Sequence, residues 1–256
     1  MYLEMIDTLK NELDSYRPFN EITVRSIVAD LRLKYTYNST AIEGNTLSIY
    51  ETKSVIEDGI TIGGKTVREH LEVINHDKAI TRLIADVQNN VELDIKLILD
   101  YHNIILTGIN DDWSGRFRNI SVHITGASHA TPSPHKVFDE MNVFKDRIRQ
   151  EFNLMHPVIR AAMVHAEFVR IHPFVDGNGR TARLIMNLEL MKAGYPIVII
   201  EVEDKRRYCE ALDIGCATSD YSKFIEFIAE KTSKSLNIYL SSHKDNKQFQ
   251  DHDLGR

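Results

Sequence analysis

Apolar residues recur every three or four positions along most of this chain, which is the spacing of an amphipathic helix. Residues 21–38 show this clearly, because their apolar positions fall near one stripe: Ile22, Ile27, Val28, Leu31 and Tyr35. The same periodicity predicts further helices over residues 67–87, 93–106, 135–150, 179–193, 205–217 and 221–239. The sequence therefore indicates a mostly α-helical fold.

Residues 157–171 (PVIRAAMVHAEFVRI) differ from these helices because they are apolar on nearly every side. A helix of this kind belongs in the centre of a fold. It must end at His172, since Pro173 disfavours helical geometry in the residue before it. The central helix thus delivers His172 to the start of a loop.

Local start, stop and turn signals complete the outline of the fold. Ser48 and Glu51 form a capping-box pattern that opens a helix, and Gly59 can end it. Residues 118–125 alternate weakly between apolar and polar and lie among Gly and Pro, so we expect a short β-hairpin flap. The chain is polar after Leu240, and we expect a disordered tail there.

Composition narrows the functional classes. The chain has 31 Lys and Arg against 37 Asp and Glu, a net charge of −6, which gives no sign of the basic face of nucleic-acid binding proteins. Cys209 and Cys216 lack the spacing of a zinc or disulfide motif. The N-terminus carries acidic residues early and no run of 18 apolar residues occurs, so we expect no signal peptide, no membrane span and a cytoplasmic location.

Candidate chemistry is concentrated in the signature segment, residues 172–183 (HPFVDGNGRTAR). A helix C-terminus favours a cationic imidazole, which makes His172 a candidate proton acceptor. A Gly-Asn-Gly turn then opens the next helix, whose free N–H groups can bind phosphate. Arg180 and Arg183 share one face of that helix and suit two adjacent phosphates. Asp176 is a hard oxygen ligand, placed where Mg²⁺ would bridge those phosphates.

Each of these features alone has a simpler explanation. Gly-x-Gly turns are commonly only loops, His172 could be a core histidine, and the two arginines could be surface charges. Their occurrence together, in this order and within twelve residues, indicates a phosphoryl-transfer site.

The signature segment resembles that of the Fic family, His-Pro-Phe-x-Asp/Glu-Gly-Asn-Gly-Arg-x-x-Arg, with every defining position filled. The resemblance extends over residues 93–240. Residues 115–118 are similar to the family's Gly-x-Tyr-Arg element, and residues 118–134 to its flap, which holds a target segment as an added strand. The resemblance implies a Fic-fold helical bundle with a short β-hairpin flap. It divides the chain into an N-terminal helical region (1–92), a Fic core domain (93–240) and the polar tail (241–256).

The family implies transfer of AMP from ATP to a Ser, Thr or Tyr hydroxyl of a target protein, with Mg²⁺ and with release of pyrophosphate. His172 would be the catalytic base, and Asp176 would hold Mg²⁺ on the α- and β-phosphates. The residues implied in nucleotide binding are Gly177, Asn178, Gly179, Arg180, Arg183 and Tyr208. The family often has Asn eight residues after this tyrosine, whereas this chain has Cys216, which leaves the choice of nucleobase open.

Residues 39–45 (STAIEGN), here called the inhibitory segment, form a second informative pattern. Ser39 and Glu43 share a helix face, and Gly44 can end the helix. A carboxylate in that last turn opposes the helix dipole, which indicates another purpose. The segment resembles the Fic motif Ser/Thr-x-x-x-Glu-Gly/Asn, in the class whose inhibitory helix (about residues 21–44) precedes the core. It implies that Glu43 binds Arg183 and withholds it from the γ-phosphate.

Further activities, partners and alternatives follow from the same resemblance. In the family the inhibitory Glu can also position a water that removes AMP, so de-AMPylation stays open as a second activity, and self-modification is expected when Glu43 is replaced by Gly. We expect ATP, a protein target at the flap and a second copy of the chain as partners, and neither nucleic acid nor membrane. Three alternatives stay open: a Fic-type transferase of another nucleotide or of phosphocholine, a non-catalytic nucleotide-binding regulator, and a metal-dependent phosphohydrolase built on His76-Asp77.

Overall fold

The fold is built from helices, as the periodicity predicts, and is known here from a computed structural model that describes residues 2–19 and 21–253, without the side chains of residues 21–25 and 243–253. Its α-helices are α1 (Tyr2–Asp14), α2 (Glu21–Ile42), α3 (Ile49–Lys53), α4 (Val67–Gln88), α5 (Ile95–Leu106), α6 (Val137–Gln150), α7 (Pro157–Ile171), α8 (Asn178–Lys192), α9 (Lys205–Thr218) and α10 (Ser222–Asp253). The predicted helices are therefore confirmed, with ends that differ by a few residues in most cases.

The apolar stripe predicted for α2 faces the core. Leu31 and Tyr35 are each 1% exposed, whereas the side chain of Ile22 lies outside the described residues. The helix continues four residues beyond its predicted end, to Ile42. This extension carries the inhibitory segment to the end of α2.

The capping signals act as predicted at α3. The Ser48 side chain accepts from Glu51 N at 3.2 Å, and the Glu51 carboxylate accepts from Ser48 N at 2.7 Å. The helix continues through a π turn at Ser54–Asp58 and ends at Gly59, which is left-handed with φ 67°. Only glycine adopts that conformation without steric cost.

The central pair of helices is α7 and α8, which pack along each other. Ala161, Ala162 and Ala166 of α7 are fully buried, and their small side chains let neighbouring helices approach closely. α7 ends at Ile171, one residue before the predicted end, and His172 follows as its left-handed cap. The loop between the two helices therefore starts from a fully buried part of the core.

The β-hairpin predicted in the flap is wrong for this structure, because the described residues form no strand. A side-chain bond from Thr131 Oγ1 to Val122 O, 3.0 Å long, joins the two arms of the flap. Pro132 and Pro134 have no N–H to give to a ladder, which accounts for part of this difference. The flap (residues 118–134) is an irregular segment.

Both ends of the chain differ from the sequence-based outline. Tyr2–Asp14 form α1, which was not predicted; it buries Ile6 and Leu13 and packs on α10. α10 continues as helix to Asp253 rather than giving way to a disordered tail after Leu240, and residues 254–256 lie outside the described part. Within residues 2–19 and 21–253, none of the helices combines the length and the apolar character needed to cross a membrane.

Candidate active site

His172 lies where α7 meets the loop to α8, in a left-handed conformation with φ 50° and ψ 60°. Its N–H donates to Phe168 O at 3.0 Å and closes the last turn of α7. Its carbonyl accepts from Arg118 Nε at 2.7 Å, and Arg118 N donates to Pro173 O at 2.9 Å. Such a conformation is uncommon for a non-glycine residue, and these bonds hold the chain in it.

The protonation of the His172 ring follows from its contacts. Nδ1 lies 3.3 Å from Val169 O, and because a carbonyl oxygen can only accept, Nδ1 must carry the proton and Nε2 of the neutral ring can accept one. Burial lowers the pKa of His172 to about 4. The expectation that the helix dipole favours a cationic ring therefore does not hold, since the cost of burying the charge is larger. His172 is a neutral base at neutral pH.

The loop after His172 is anchored in the core by stacked rings. Phe174 is fully buried and stacks on His102, with ring centroids 3.5 Å apart and planes 5° from parallel. His102 Nδ1 accepts from Gly115 N at 3.1 Å, and its Nε2 donates to Asp176 O at 2.9 Å. Burial lowers the pKa of His102 to about 4, so this bridge is made by a neutral ring.

Asn178 fastens the loop from the inside. Its Oδ1 accepts from Phe174 N at 3.0 Å, and its Nδ2 donates to Phe174 O at 2.9 Å. The residue is only 3% exposed. The side chain that the resemblance places in an anion hole is thus occupied with the loop backbone, and an anion at this point would meet the main chain at the start of α8.

Gly177 and Gly179 bring that main chain within reach of a ligand. Gly177 precedes α8 with φ 77°, a left-handed conformation that favours glycine. At Gly179 a Cβ would collide with Glu43 Oε1. The first turn of a helix attracts anions through its unpaired N–H groups. The carboxylate of Glu43 lies against this turn, where a phosphate would approach.

Arg180 and Arg183 are buried on the first two turns of α8, each 1% exposed. Arg180 Nη2 donates to Asp176 Oδ1 at 3.1 Å. Arg180 Nε and Nη1 and Arg183 Nη1 have no hydrogen-bond partner among the described residues. Buried guanidinium donors without partners are costly, and these N–H groups suit the oxygens of a polyphosphate.

Asp176 is the candidate metal ligand. Its Oδ1 accepts from Gly177 N at 2.6 Å, and its Oδ2 from Arg68 Nη2 at 2.7 Å. Burial tends to raise its pKa, but Arg180, the Gly177 N–H and Arg68 outweigh burial and lower it. The described residues contain no cluster of three or more His, Cys, Asp or Glu that could hold a metal. An ionised carboxylate fits Mg²⁺ held by one side chain and by the phosphates of a nucleotide.

Glu43 binds Arg183, as the resemblance implies, and Ser39 binds the same guanidinium. Arg183 Nη2 donates to Glu43 Oε1 at 2.7 Å and to Ser39 O at 2.8 Å, and Nε donates to Ser39 Oγ at 3.0 Å. Burial alone would lower the pKa of Arg183, but the Glu43 carboxylate holds it above the usual value. Glu43 follows the last residue of α2, and Gly44 turns the chain away with φ 104°.

A cavity of about 530 Å³ lies beside these groups, a size in the range of small-molecule sites. Its walls include His172, Glu43, Gly179, Arg183, Tyr208 and Cys216. The Tyr208 hydroxyl is hydrogen-bonded to His165 Nε2 at 2.9 Å. Burial raises the pKa of Cys216 to about 11, so its thiol is neutral. The structure therefore brings Glu43, part of the signature segment and residues of α9 to one cavity, whereas Asp176 and Arg180 are not among the residues that line it.

Three residues at the site were not singled out from the sequence: Arg68, His102 and Arg118, the last of which was noted only within residues 115–118. Arg68 and His102 reach Asp176 across 108 and 74 positions of sequence, so no local motif reveals them. The Arg118 side chain donates to His172 O, Ile120 O and Pro132 O. It ties both ends of the flap to the signature segment.

The His76-Asp77 pair does not form a site. His76 is fully buried with its ring edge against Tyr35, and Asp77 forms an ion pair with Arg32. Neither residue belongs to a metal-binding cluster within the described part of the chain. The geometry gives no support to a phosphohydrolase centred on these residues.

Comparison with known proteins agrees with the geometry. The Fic/DOC family model matches residues 92–190. The chain is 35% identical over 244 residues to the protein adenylyltransferase Fic of Drosophila willistoni, covering 95% of this chain and 48% of that protein. The corresponding protein of Drosophila melanogaster is also 35% identical, with 49% of it covered. The chain thus spans about half the length of the curated relatives it matches.

Solved structures show the same architecture. A fragment of Fic-1 from C. elegans superposes with a TM-score of 0.85 at 31% identity, covering 96% of this chain and 73% of the fragment. A Fic domain containing signalling protein from Bacteroides thetaiotaomicron also has a TM-score of 0.85, at 27% identity, covering 94% of this chain and 97% of that one. The likeness extends over almost the whole chain.

Proposed function

The chain belongs to the Fic/DOC family, and on this basis we propose that it transfers the AMP part of ATP to a Ser, Thr or Tyr hydroxyl of a protein. One observation carries the proposal: the same cavity is lined by His172, a neutral base, and by Arg183, a buried cation with an unpartnered Nη1. A base beside a cation that can bind phosphate is what the attack of a hydroxyl on phosphorus requires.

In the proposed reaction, the target hydroxyl gives its proton to His172 Nε2 while its oxygen forms a bond to the α-phosphorus of ATP. The bond from the α-phosphorus to the oxygen that bridges to the β-phosphate breaks, and pyrophosphate leaves with the electron pair. Arg180 and Arg183 bind the charge of the β- and γ-phosphates. The backbone of Gly177–Gly179, at the positive end of α8, binds phosphate oxygens.

Asp176 is the residue that we propose to hold Mg²⁺. Its carboxylate is ionised, 35% exposed and next to Arg180, so a metal bound there would lie beside the phosphates. Bound Mg²⁺ would neutralise phosphate charge and fix the orientation of the α- and β-phosphates. The roles of Tyr208 and Cys216 are proposed to lie at the nucleobase end of the cavity.

We also propose that Glu43 inhibits transfer, as in the class whose inhibitory helix precedes the core. Glu43 occupies Arg183 Nη2 and lies against Gly179, so the γ-phosphate loses its cation and the triphosphate cannot settle for in-line attack. The Ser39 hydroxyl accepts a hydrogen bond from Nε of the same guanidinium. The Glu43 carboxylate is 36% exposed and shares the cavity with His172. It is therefore suited to orient a water that removes AMP from a modified target.

The target is proposed to bind along the flap, with its backbone added as a strand. Arg118, at one end of the flap, supports this role, because its Nε donates to His172 O and its Nη2 to Pro132 O near the other end, each at 2.7 Å. A peptide on the flap would thus be held in register with the base. A homodimer, which the resemblance implies, is part of the same proposal.

Label transfer tests the proposal directly. We expect the Glu43→Gly variant to label itself or a lysate protein from [α-³²P]ATP and not from [γ-³²P]ATP, with about one AMP of added mass. Adding His172→Ala should reduce this transfer by roughly 10²–10⁴-fold. Retained transfer in that double variant would remove His172 as the base.

The same assay separates the alternatives. Transfer from UTP or GTP in preference to ATP would indicate another nucleotide, a question that Cys216 raises. Nucleotide binding without transfer in the Glu43→Gly variant would indicate a regulator. The second result would contradict the proposed function, whereas the first would change only the donor.

A further inference from the structure

Arg68, in the first turn of α4, forms an ion pair with Asp176 in the signature segment. Arg68 Nη2 donates to Asp176 Oδ2 at 2.7 Å, across 108 positions of sequence. The Arg68 side chain is 57% exposed and that of Asp176 is 35% exposed. A flexible, solvated cation thus lies on the carboxylate proposed to hold Mg²⁺, and the inference below rests on that proposed function.

Arg68 is held in place by a second carboxylate. Its Nε donates to Glu72 Oε1 at 3.0 Å, one helical turn along α4. Glu72 is only 10% exposed at its side chain, and its Oε2 accepts from Asn45 Nδ2 at 2.9 Å. Asn45 belongs to the inhibitory segment. The guanidinium is therefore oriented toward Asp176 by a chain of contacts that begins beside Glu43.

The two oxygens of Asp176 are not equally open to a metal. Oδ1 accepts from both Gly177 N, at 2.6 Å, and Arg180 Nη2, at 3.1 Å. Oδ2 accepts only from Arg68 among the contacts of the described residues. Mg²⁺ binds carboxylate oxygen at about 2.0–2.1 Å and demands near-octahedral geometry. A metal at Oδ2 would therefore lie beside the Arg68 guanidinium, and two cations so close repel each other.

We propose that Arg68 is a positioning residue that holds the Asp176 carboxylate in place before metal binds and competes with Mg²⁺ for it. Arg68 can leave, because more than half of its side chain is in solvent and its stem is flexible. Binding of Mg²⁺ with ATP then requires that the Arg68–Asp176 contact opens. Arg68 thereby sets the Mg²⁺ concentration at which the nucleotide binds productively.

The test compares Mg²⁺ dependence rather than activity alone. The full chain carrying Glu43→Gly is titrated with the ATP analogue AMPPNP by calorimetry at a series of Mg²⁺ concentrations, and again in EDTA. Adding Arg68→Gln should lower the Mg²⁺ midpoint roughly three- to fivefold, the size expected for a partly exposed ion pair. Arg68→Lys, which keeps the charge, should keep most of the original midpoint.

Arg149→Gln is the matched control. Arg149 is 54% exposed, and its nearest carboxylate partner is Glu92 at 3.8 Å. The substitution removes one arginine charge of similar exposure without touching Asp176. We expect it to leave the Mg²⁺ midpoint unchanged.

Two outcomes would overturn the inference. An unchanged or higher Mg²⁺ midpoint in Arg68→Gln would show that no competition exists. Weaker AMPPNP binding in EDTA as well as in Mg²⁺ would instead make Arg68 a phosphate ligand. Failure of the proposed function is a distinct result, because the Glu43→Gly protein would then bind no AMPPNP even at saturating Mg²⁺, or would bind it and transfer no label from [α-³²P]ATP.

Discussion

The Arg183 guanidinium donates to the Glu43 carboxylate at 2.7 Å, although 140 positions of sequence separate the two residues. Arg183 is 1% exposed, so its charge depends on this partner, whereas Glu43 keeps about a third of its side chain in solvent. A buried cation paired with an accessible anion is an exchangeable arrangement. A phosphate can replace the Glu43 carboxylate without leaving the Arg183 guanidinium unpaired.

The exchange predicts that Glu43→Gly increases AMP transfer. Removing the carboxylate frees Arg183 Nη2 for the γ-phosphate and clears the approach to Gly179. A hydrogen bond to a charged group is worth about 1.5–3 kcal/mol, so we expect a gain of roughly tenfold or more in initial rate. The measurement is self-labelling from [α-³²P]ATP. Ser39→Ala is the control, because it removes only the Oγ contact to Nε, and it should raise the rate far less.

A double-mutant cycle predicts that the effect of Glu43 passes through Arg183. Arg183→Ala should weaken ATP binding and remove the brake together, because both ligands use the same guanidinium. In that background, adding Glu43→Gly should change AMPPNP affinity by less than about twofold, since the shared partner is gone. Calorimetry on the four proteins provides the test. A full Glu43→Gly effect in the absence of Arg183 would mean that Glu43 acts on the nucleotide by another route.

Much of the site could be predicted because its chemistry is local in sequence. His172, Asp176, Arg180 and Arg183 lie within twelve residues, and the geometry of one helix end and one helix start brings them together. The partner of Glu43 could be found only through the resemblance, because Arg183 lies on a different helix and nothing in residues 39–45 alone specifies it.

The rest depends on tertiary contacts that the sequence does not encode locally. Arg68 and His102 approach Asp176 from α4 and α5, and their helices give no sign of it. The charge of His172 depends on how deeply the ring is buried, and its position at a helix C-terminus does not reveal that depth. The flap was predicted as a hairpin from weak alternation, although its prolines limit the donors available for pairing.

The Asn178 side chain predicts an effect on stability apart from any role toward phosphate. Its amide makes two bonds to the Phe174 backbone, 3.0 and 2.9 Å long, in a site only 3% exposed. Asn178→Ala leaves that buried N–H and carbonyl unpaired, so we expect a loss of about 2–3 kcal/mol in the free energy of unfolding. Urea denaturation measures it.

Asn142→Ala is the control for this prediction. Asn142 also donates to a carbonyl, Phe138 O at 3.0 Å, but on the surface of α6. We expect Asn142→Ala to lower the free energy of unfolding by less than about 0.5 kcal/mol. Equal losses in the two variants would show that the loop does not depend on the Asn178 contacts.

The lowered pKa of His172 predicts an unusual pH–rate profile. With a pKa of about 4, the ring stays neutral and able to accept a proton well below pH 6. In the Glu43→Gly variant, kcat/KM for ATP should therefore lack a titration near the ordinary histidine value of about 6.5. Initial rates between pH 5 and 8 would show it. An inflection near pH 6.5 that persists when each of the other histidines is replaced would contradict the assignment of a buried neutral base.

Buried neutral histidines predict that the fold itself weakens in mild acid. Burial lowers the pKa of His102 and of His172 to about 4, against about 6.5 in the unfolded chain. Between these values the unfolded state binds more protons, so stability is complete above pH 6.5 and declines as the pH falls toward 4. Each such group contributes up to about 1.4 kcal/mol per pH unit within that window.

His102→Asn tests this linkage through a slope and not through absolute stability. The variant loses the bridge between Gly115 and Asp176 and is expected to be less stable at every pH. Its free energy of unfolding should nevertheless depend less steeply on pH between 5 and 6.5, by up to about one proton, because one titrating ring is gone. Urea denaturation at four pH values gives both slopes. The contrary result is that the free energies of unfolding of the variant and the parent show the same slope against pH across that range. In that case His102 is already protonated in the folded protein, and a neutral ring does not hold the signature loop.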